Sequence, residues 1–268
     1  TAGFKAVITN VRELNSPLGQ VSLLVTDRIP EEVFYDIYDW TITEQLWERR
    51  RTRISRNAQI SASAEILPGA QVDEDVRVEP GAVVHGNSVL SRGVRIQSNA
   101  VIGGEGFQIR NLGHERRIVP HMGGVFIGEG SSIGSNSCVD RGLFGGITSV
   151  GKFVMIDNLV HVAHNVVIED AATVVASAEL SGSSLVQFGA WIGPGVKVNP
   201  GVIVGRHSFA GTGATVVKDV PAHALVVGTP ARLRRYICMC GGELRLNEHG
   251  SQRCLECGRD VNELLTMI

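Results

Sequence analysis

Aliphatic residues return every six positions along most of this chain. Ile54, Ile60, Ile66, Val72, Val78, Val84, Leu90, Ile96 and Ile102 set the beat. It resumes at Ile127, Ile133 and Val139. It restarts at Val150 and continues through Ile156, Val162, Ile168, Val174, Leu180, Val186, Ile192, Val198, Val204, Ala210 and Val216. Four residues after a beat stands a small or β-branched side chain, as at Ala58, Ala70, Val76, Ala82, Val160, Val166 and Ala172. The residue before that one is often Gly or Asn, as at Gly69, Gly81, Asn87, Asn99, Asn165 and Gly201.

A period of six fits neither the 3.6 of a helix nor the two-residue alternation of a long strand. It fits a short strand followed by a sharp corner. The beat residue and the small residue face inward, and Gly or Asn takes a positive φ at the corner, where a Cβ is costly. Stacked units of this kind form a parallel β-helix, a solenoid that buries one continuous core. A run of amphipathic helices is excluded by the glycines and β-branched residues. The predicted class is therefore all-β.

Composition changes this picture little. The 268 residues are 43% apolar and 19% charged, with 32 glycines and only 5% aromatics, in keeping with a repeated tight turn. A net charge of −2 gives no reason to expect nucleic acid or an anionic membrane surface as partner. No apolar run is long enough for a membrane span. No basic segment followed by an apolar stretch opens the chain, so the expected compartment is the cytoplasm.

The repeats resemble those of the hexapeptide-repeat acyltransferases, whose left-handed β-helix is a triangular prism of three hexads per coil. That resemblance implies a prism over residues 54–220, with loops projecting at 103–124 and 141–146. Residues 1–53 then form a short α/β N-terminal cap, a candidate nucleotide-binding region, and 221–268 a C-terminal extension. "IGGEGFQ", "GGVFIGEGSSIGSNSCVDRG" and "IDNLVHVAHNVVIED" resemble one branch, the UDP-3-O-acylglucosamine N-acyltransferases. "GTGATVVKDVPAHALVVGTPARLRR" instead resembles acetyl-CoA-dependent sugar acetyltransferases. A late coil reads "VKVNPGV", without the second histidine of the lipid A enzyme.

The resemblance implies site residues. His164, third in its hexad and beside corner residue Asn165, matches a general base. A neutral imidazole suits acceptance of an amine proton during attack on a thioester. Gly182 stands one 18-residue coil on and implies space for substrate and a backbone N–H for the thioester oxygen. Asn158 matches a substrate-orienting residue. His161 is assigned to a different corner, with substrate contact its functional reading. Asp140 and Arg141 match substrate residues, although an ion pair bracing the 141–146 loop accounts for them equally. Gly106 and Phe107 are candidate sugar or acyl contacts. Gly211, Gly213, Lys218 and Arg232 are candidate neighbours of coenzyme A in a groove between subunits of a homotrimer.

The tail carries Cys238, Cys240, Cys254 and Cys257 as C-x-C and C-x-x-C knuckles, each closely followed by Gly. Four thiolates in this arrangement read as a small zinc-ribbon-like tail holding a structural zinc, with free thiols or a disulfide as the alternatives. Similar Cys-rich knuckles occur in nucleotide-sugar acetyltransferases.

The leading expectation is an N-acetyltransferase moving acetyl from acetyl-CoA to the amine of a nucleotide-linked amino sugar for polysaccharide biosynthesis. The alternative is a longer-chain N-acyltransferase of the lipid A type, served by acyl carrier protein. A γ-carbonic-anhydrase-like metal lyase fits poorly, because its ligands need a spacing other than that of His161 and His164. A non-enzymatic scaffold recruiting a partner through its knuckles completes the set.

Overall fold

The computed structural model describes residues 6–9, 22–46, 50–112, 115–238, 240–246 and 252–260. The chain divides into two compact units. The first comprises Thr1–Glu48 with Ile109–Arg117, and the second Arg49–Gln108 with Ile118–Ile268.

The second unit is the β-helix. Its strands, most of them two residues long, stack into sheets of eight, ten and eight, one per face of the prism, all parallel except the last strand of the ten. Register follows the beat. Ile54 pairs with Val72 and Val72 with Leu90 on the first face, Ile60 with Val78 on the second, and Ile66 with Val84 on the third. Eighteen residues thus make one coil.

The beat residues Val72, Val84, Leu90, Ile96, Ile102, Val162, Leu180 and Ile192 are fully buried, as are Ala70, Val76, Ala82 and Ala172. Each buried Val, Leu or Ile contributes roughly 1.5–3 kcal/mol of hydrophobic stabilisation. The first coil is the exception: Ile54 is 44% exposed, since it has a neighbouring coil on one side only. Corners take positive φ at Gly69, Gly81, Asn87, Asn99, Asn165 and Gly201, as the pattern predicts. Phe153, Leu159, Ala171 and His207 also adopt it, so coil stacking imposes the conformation even where a Cβ opposes it.

Both interruptions of the beat leave the prism as loops. Within the larger one, Ile109–Leu112 and Glu115–Ile118 form a two-stranded sheet. Its base, 103–108 and 119–124, stays with the β-helix. After the last coil, Ala224–Val227 extends the second face, and Arg232–Tyr236 returns antiparallel to it. The tail follows with Leu244–Leu246 paired antiparallel to Gln252–Cys254, around a small core of Cys238, Leu244 and Cys254.

In the first unit, Ala6–Thr9 and Ser22–Val25 pair in parallel and a helix spans Pro30–Thr43. Pro30 opens the helix, and Glu31 and Glu32 in its first turn complement the helix dipole. Tyr35 and Tyr38 are buried. The buried Arg110 guanidinium lies 4.9 Å over the Tyr35 ring, and Arg117 pairs with Asp39. Two of the cap's aromatics therefore serve its own packing. Among the described residues no helix is long and apolar enough to cross a membrane.

Candidate active site

A cleft of about 600 Å³ opens along the edge where the third face turns into the first. Its lining includes Phe107, Asp140, His161, His164, Gly182 and Gly201. The edge is a column of residues two past the third-face beats, which from the third coil on are Gly104, Arg141, His164, Gly182, Pro200 and Lys218. Corner hydrogen bonds tie the column together. Ser183 N–H donates to the His164 carbonyl at 3.0 Å, and Gly201 N–H to the Gly182 carbonyl at 3.1 Å.

His164 is oriented by its chain neighbour. Asn165 occupies the left-handed corner with φ of 59°, a conformation Asn tolerates better than most residues. Its Oδ1 accepts the Leu143 N–H at 2.9 Å, which identifies that atom as the oxygen of the amide. The same oxygen lies 3.0 Å from His164 Nδ1. An oxygen has no proton to give, so Nδ1 donates and Nε2 keeps the free lone pair. Nε2 overlies Gly182: a Cβ built on that glycine would stand 2.8 Å from Nε2 and 2.7 Å from Cε1. Among the described residues the Gly182 N–H has no acceptor, and Gly182 lines the cleft beside His164.

His161 is the outward residue of the same third-face strand, and it shares the cleft with His164. The six-residue frame alone assigns the two to separate corners. They meet because an outward strand residue and the corner after it border one edge. His161 Nε2 donates to the Asp140 carboxylate at 2.9 Å. That hydrogen bond holds the His161 pKa above its ordinary 6.5, outweighing desolvation. Phe107 is 70% exposed at the cleft, an aromatic surface with no cover.

Arg141 makes no ion pair with Asp140. Its Nε donates to the Gly103 carbonyl at 2.7 Å and its N–H to that of Gly104, securing the base of the large loop. Asn158 is not brought to His164. It stands on the preceding edge, where its Oδ1 accepts the Ser135 N–H at 2.7 Å. Six residues back is one hexad, and one hexad is one corner away. Gly211 and Gly213 belong to that other edge, linked to Asn158 by the ladder Ser177 to Asn158, Gly195 to Ala176 and Gly213 to Pro194. Lys218 is exposed on the His164 edge, three coils on, about 14 Å away at the usual strand spacing. Arg232 is exposed at the start of the returning strand.

Two residues of this site have no counterpart in the sequence-derived set. Asn165 is marked by the sequence only as a corner, and its adjacency to His164 is the signal that points to its second role. His121, in the large loop, is 1% exposed, and its ring centroid lies 5.3 Å from that of His164 at 62°. Its Nδ1 donates to the Val119 carbonyl at 2.9 Å. Gly106 is buried against it, leaving no space for a Cβ.

The four tail cysteines converge. Their Sγ atoms all lie within 4.8 Å of one another, with 3.7 Å between Cys238 and Cys257 and 3.4 Å between Cys240 and Cys254. A tetrahedral zinc with bonds of about 2.3 Å places its thiolates about 3.8 Å apart. A disulfide needs roughly 2.0 Å. The donor set and its spacing fit zinc, with no coordination position left open.

No family model matches the chain. A UDP-3-O-acylglucosamine N-acyltransferase of Caulobacter sp. (strain K31) is 39% identical over 155 residues, 58% of this chain and 45% of that protein. One from Francisella tularensis subsp. holarctica (strain OSU18) is 34% identical over 122 residues, 45% of this chain and 35% of the relative. The chain thus spans less than half the length of these curated relatives. Among solved structures, the Bacteroides fragilis UDP-N-acetylglucosamine acyltransferase superposes with a TM-score of 0.55 at 23% identity, over 69% of this chain and 72% of the other. The Francisella novicida UDP-N-acetylglucosamine acyltransferase gives 0.53 at 24%, over 69% and 68%. This chain folds as the left-handed β-helix of the hexapeptide-repeat acyltransferases, and more than half of it is related in sequence to a UDP-3-O-acylglucosamine N-acyltransferase.

Proposed function

We propose that the chain is an N-acyltransferase that acylates the amine of a nucleotide-linked amino sugar, with His164 as general base. The observation that carries this reading is the His164 Nε2 lone pair, fixed by Asn165 and held over Gly182 in an open cleft. The amine lone pair attacks the thioester carbonyl and its proton passes to Nε2. The Gly182 N–H faces the oxygen as charge develops on it. The C–S bond then breaks, and the proton on Nε2 goes to the departing thiolate.

The curated relatives favour the longer-chain, carrier-protein-dependent reaction over acetyl transfer, which reverses the order given by the sequence. Uridine diphosphate is the favoured nucleotide on the same ground. Lys218, on the His164 edge, is the best placed of the four candidate donor-binding residues to meet a phosphate of the carrier arm. A homotrimer accords with the first face, whose outward row exposes Phe126, Val167 and Ile203 at about 40% each, an apolar stripe suited to a second copy. The four cysteines hold a structural zinc that takes no part in the transfer.

Thiol release tests the reaction. The wild type is offered UDP-linked amino sugars with acyl carrier protein thioesters of several chain lengths and with acetyl-CoA. His164→Ala is expected to lower the rate by about 10²–10⁴-fold. Unchanged turnover in that variant would remove the base assignment, and turnover with acetyl-CoA alone would restore the acetyl reading. Elemental analysis is expected to give one zinc per chain, lost in Cys238→Ser. A metal-free wild type would refute the zinc.

A further inference from the structure

We propose that His121 is a positioning residue for His164: a buried imidazole wall, delivered by the large loop, that holds the base over Gly182. This rests on the reading of His164 as the base.

The loop grips His121 at both ends of the residue. Its backbone N–H donates to the Glu105 carboxylate and its Nδ1 to the Val119 carbonyl. The donation from Nδ1 leaves Nε2 as an acceptor, and among the described residues that buried atom has no partner. An unpaired buried acceptor opposes folding. A leucine or phenylalanine would fill the same space without it. Gly106 closes the other side, since a Cβ there would stand 2.6 Å from Nε2. Held between Gly106 and the loop carbonyl, with the Glu105 carboxylate 3.4 Å from Nδ1, the ring meets the His164 ring in a tilted edge contact.

That contact bears on the reaction. As His164 takes the amine proton it becomes an imidazolium, and a second cation beside it would oppose that charge where a neutral ring does not. Glu105, Asp140 and His164 are the charged or titratable groups around His121. Burial pushes its pKa below the ordinary 6.5, which favours its neutral form.

Two substitutions separate a wall from a mere loop anchor. His121→Asn keeps a donor for the Val119 carbonyl and removes the ring. His121→Phe keeps a ring and removes the donor. Gly106→Ala, a third variant, presses on His121 from behind. The readouts are kcat and KM for the amine, thermal melting, and ¹⁵N NMR of the His164 ring in the full chain. A wall predicts that Asn lowers kcat by about tenfold or more with KM within about twofold, that Phe retains more activity than Asn, and that Gly106→Ala follows Asn. It also predicts displaced His164 ring signals in Asn. Wild-type kcat and unmoved His164 signals in a folded Asn variant would overturn the proposal. So would an active Asn variant beside an inactive Phe, which marks a loop anchor. If the Asn and Phe variants fail to fold, Gly106→Ala decides by the same two signals. A wild type inactive on every amine would instead sink the acyltransferase reading, and the NMR comparison would still decide the role of His121.

Discussion

Replacing Gly182 with alanine tests the geometry of the site with a single methyl group. The glycine backbone is not in the left-handed region, so alanine costs no conformational strain there. Its Cβ would stand 2.7 Å from His164 Cε1 and 2.8 Å from Nε2. Carbon–carbon contact is comfortable at about 3.5–4.0 Å, so the ring must retreat by about 0.8–1.3 Å. The ring can yield, because it is a side chain at the mouth of an open cleft. Asn165 and His121 resist, one through the Nδ1 hydrogen bond and the other by ring contact. A displacement near 1 Å of a catalytic group is worth about 10²-fold in rate, or about 2.7 kcal/mol of barrier. Stability is expected to change little, since alanine also restricts the unfolded chain. The assay pairs steady-state thiol release with thermal melting of the same preparation. An alanine variant with wild-type kcat would refute the placement of Nε2 over this glycine. A rate loss matched by a large fall in melting temperature would show that the methyl disrupts the coil and not the base.

Asn165→Gly keeps the positive φ and removes the amide oxygen, and kcat is expected to fall by about tenfold or more; Asn165→Asp, which restores an acceptor for His164 Nδ1, is expected to recover part of it, as steady-state kinetics will report. His161 has its folded pKa above the unfolded value, so its bond to Asp140 stabilises fully below about pH 6.5 and loses that contribution as pH rises through the folded pKa. Asp140→Asn is therefore expected to cost more at about pH 5.5 than at about pH 9 in paired thermal melts, by under about 1 kcal/mol because the His161 side chain is 48% exposed; an equal cost at both ends would refute the pairing. Leu180→Ala, at a fully buried position, is expected to cost about 2–5 kcal/mol in denaturant melts, whereas Ile54→Ala, at 44% exposure in the first coil, is expected to cost under about 1 kcal/mol.

The prism was legible because each hexad is a local unit. A strand of two residues and a corner fit inside six positions, so burial at Val72, Leu90 or Ile192 follows from sequence alone. The same arithmetic places Gly182, since one full coil after His164 returns the chain to the same edge. It also shows why Asn158 lies apart from His164: only multiples of a coil keep an edge, and a single hexad leaves it. Positive φ at Phe153 and Leu159 could not be read from residue type, because the coils above and below force the turn. His121 was out of reach for a different reason. It lies in a stretch where the beat is broken, and no periodicity assigns a loop residue to a coil.

The regular repeat explains His164 and Gly182 as a base and a gap at one corner, yet nothing in the repeat fixes the imidazole's tautomer or its tilt. Those come from the two interruptions. The 141–146 loop contributes the Leu143 N–H, which pins the Asn165 oxygen and thereby puts the proton on Nδ1. The 103–124 loop contributes His121 and Gly106 against the ring, and Phe107 at the mouth. A solenoid gains no core from either loop, and both converge on one corner of one coil. Deleting a loop is expected to leave the prism's buried beat untouched while freeing the His164 ring. The positions where the hydrophobic pattern fails are therefore the ones that turn a repeating scaffold into a site.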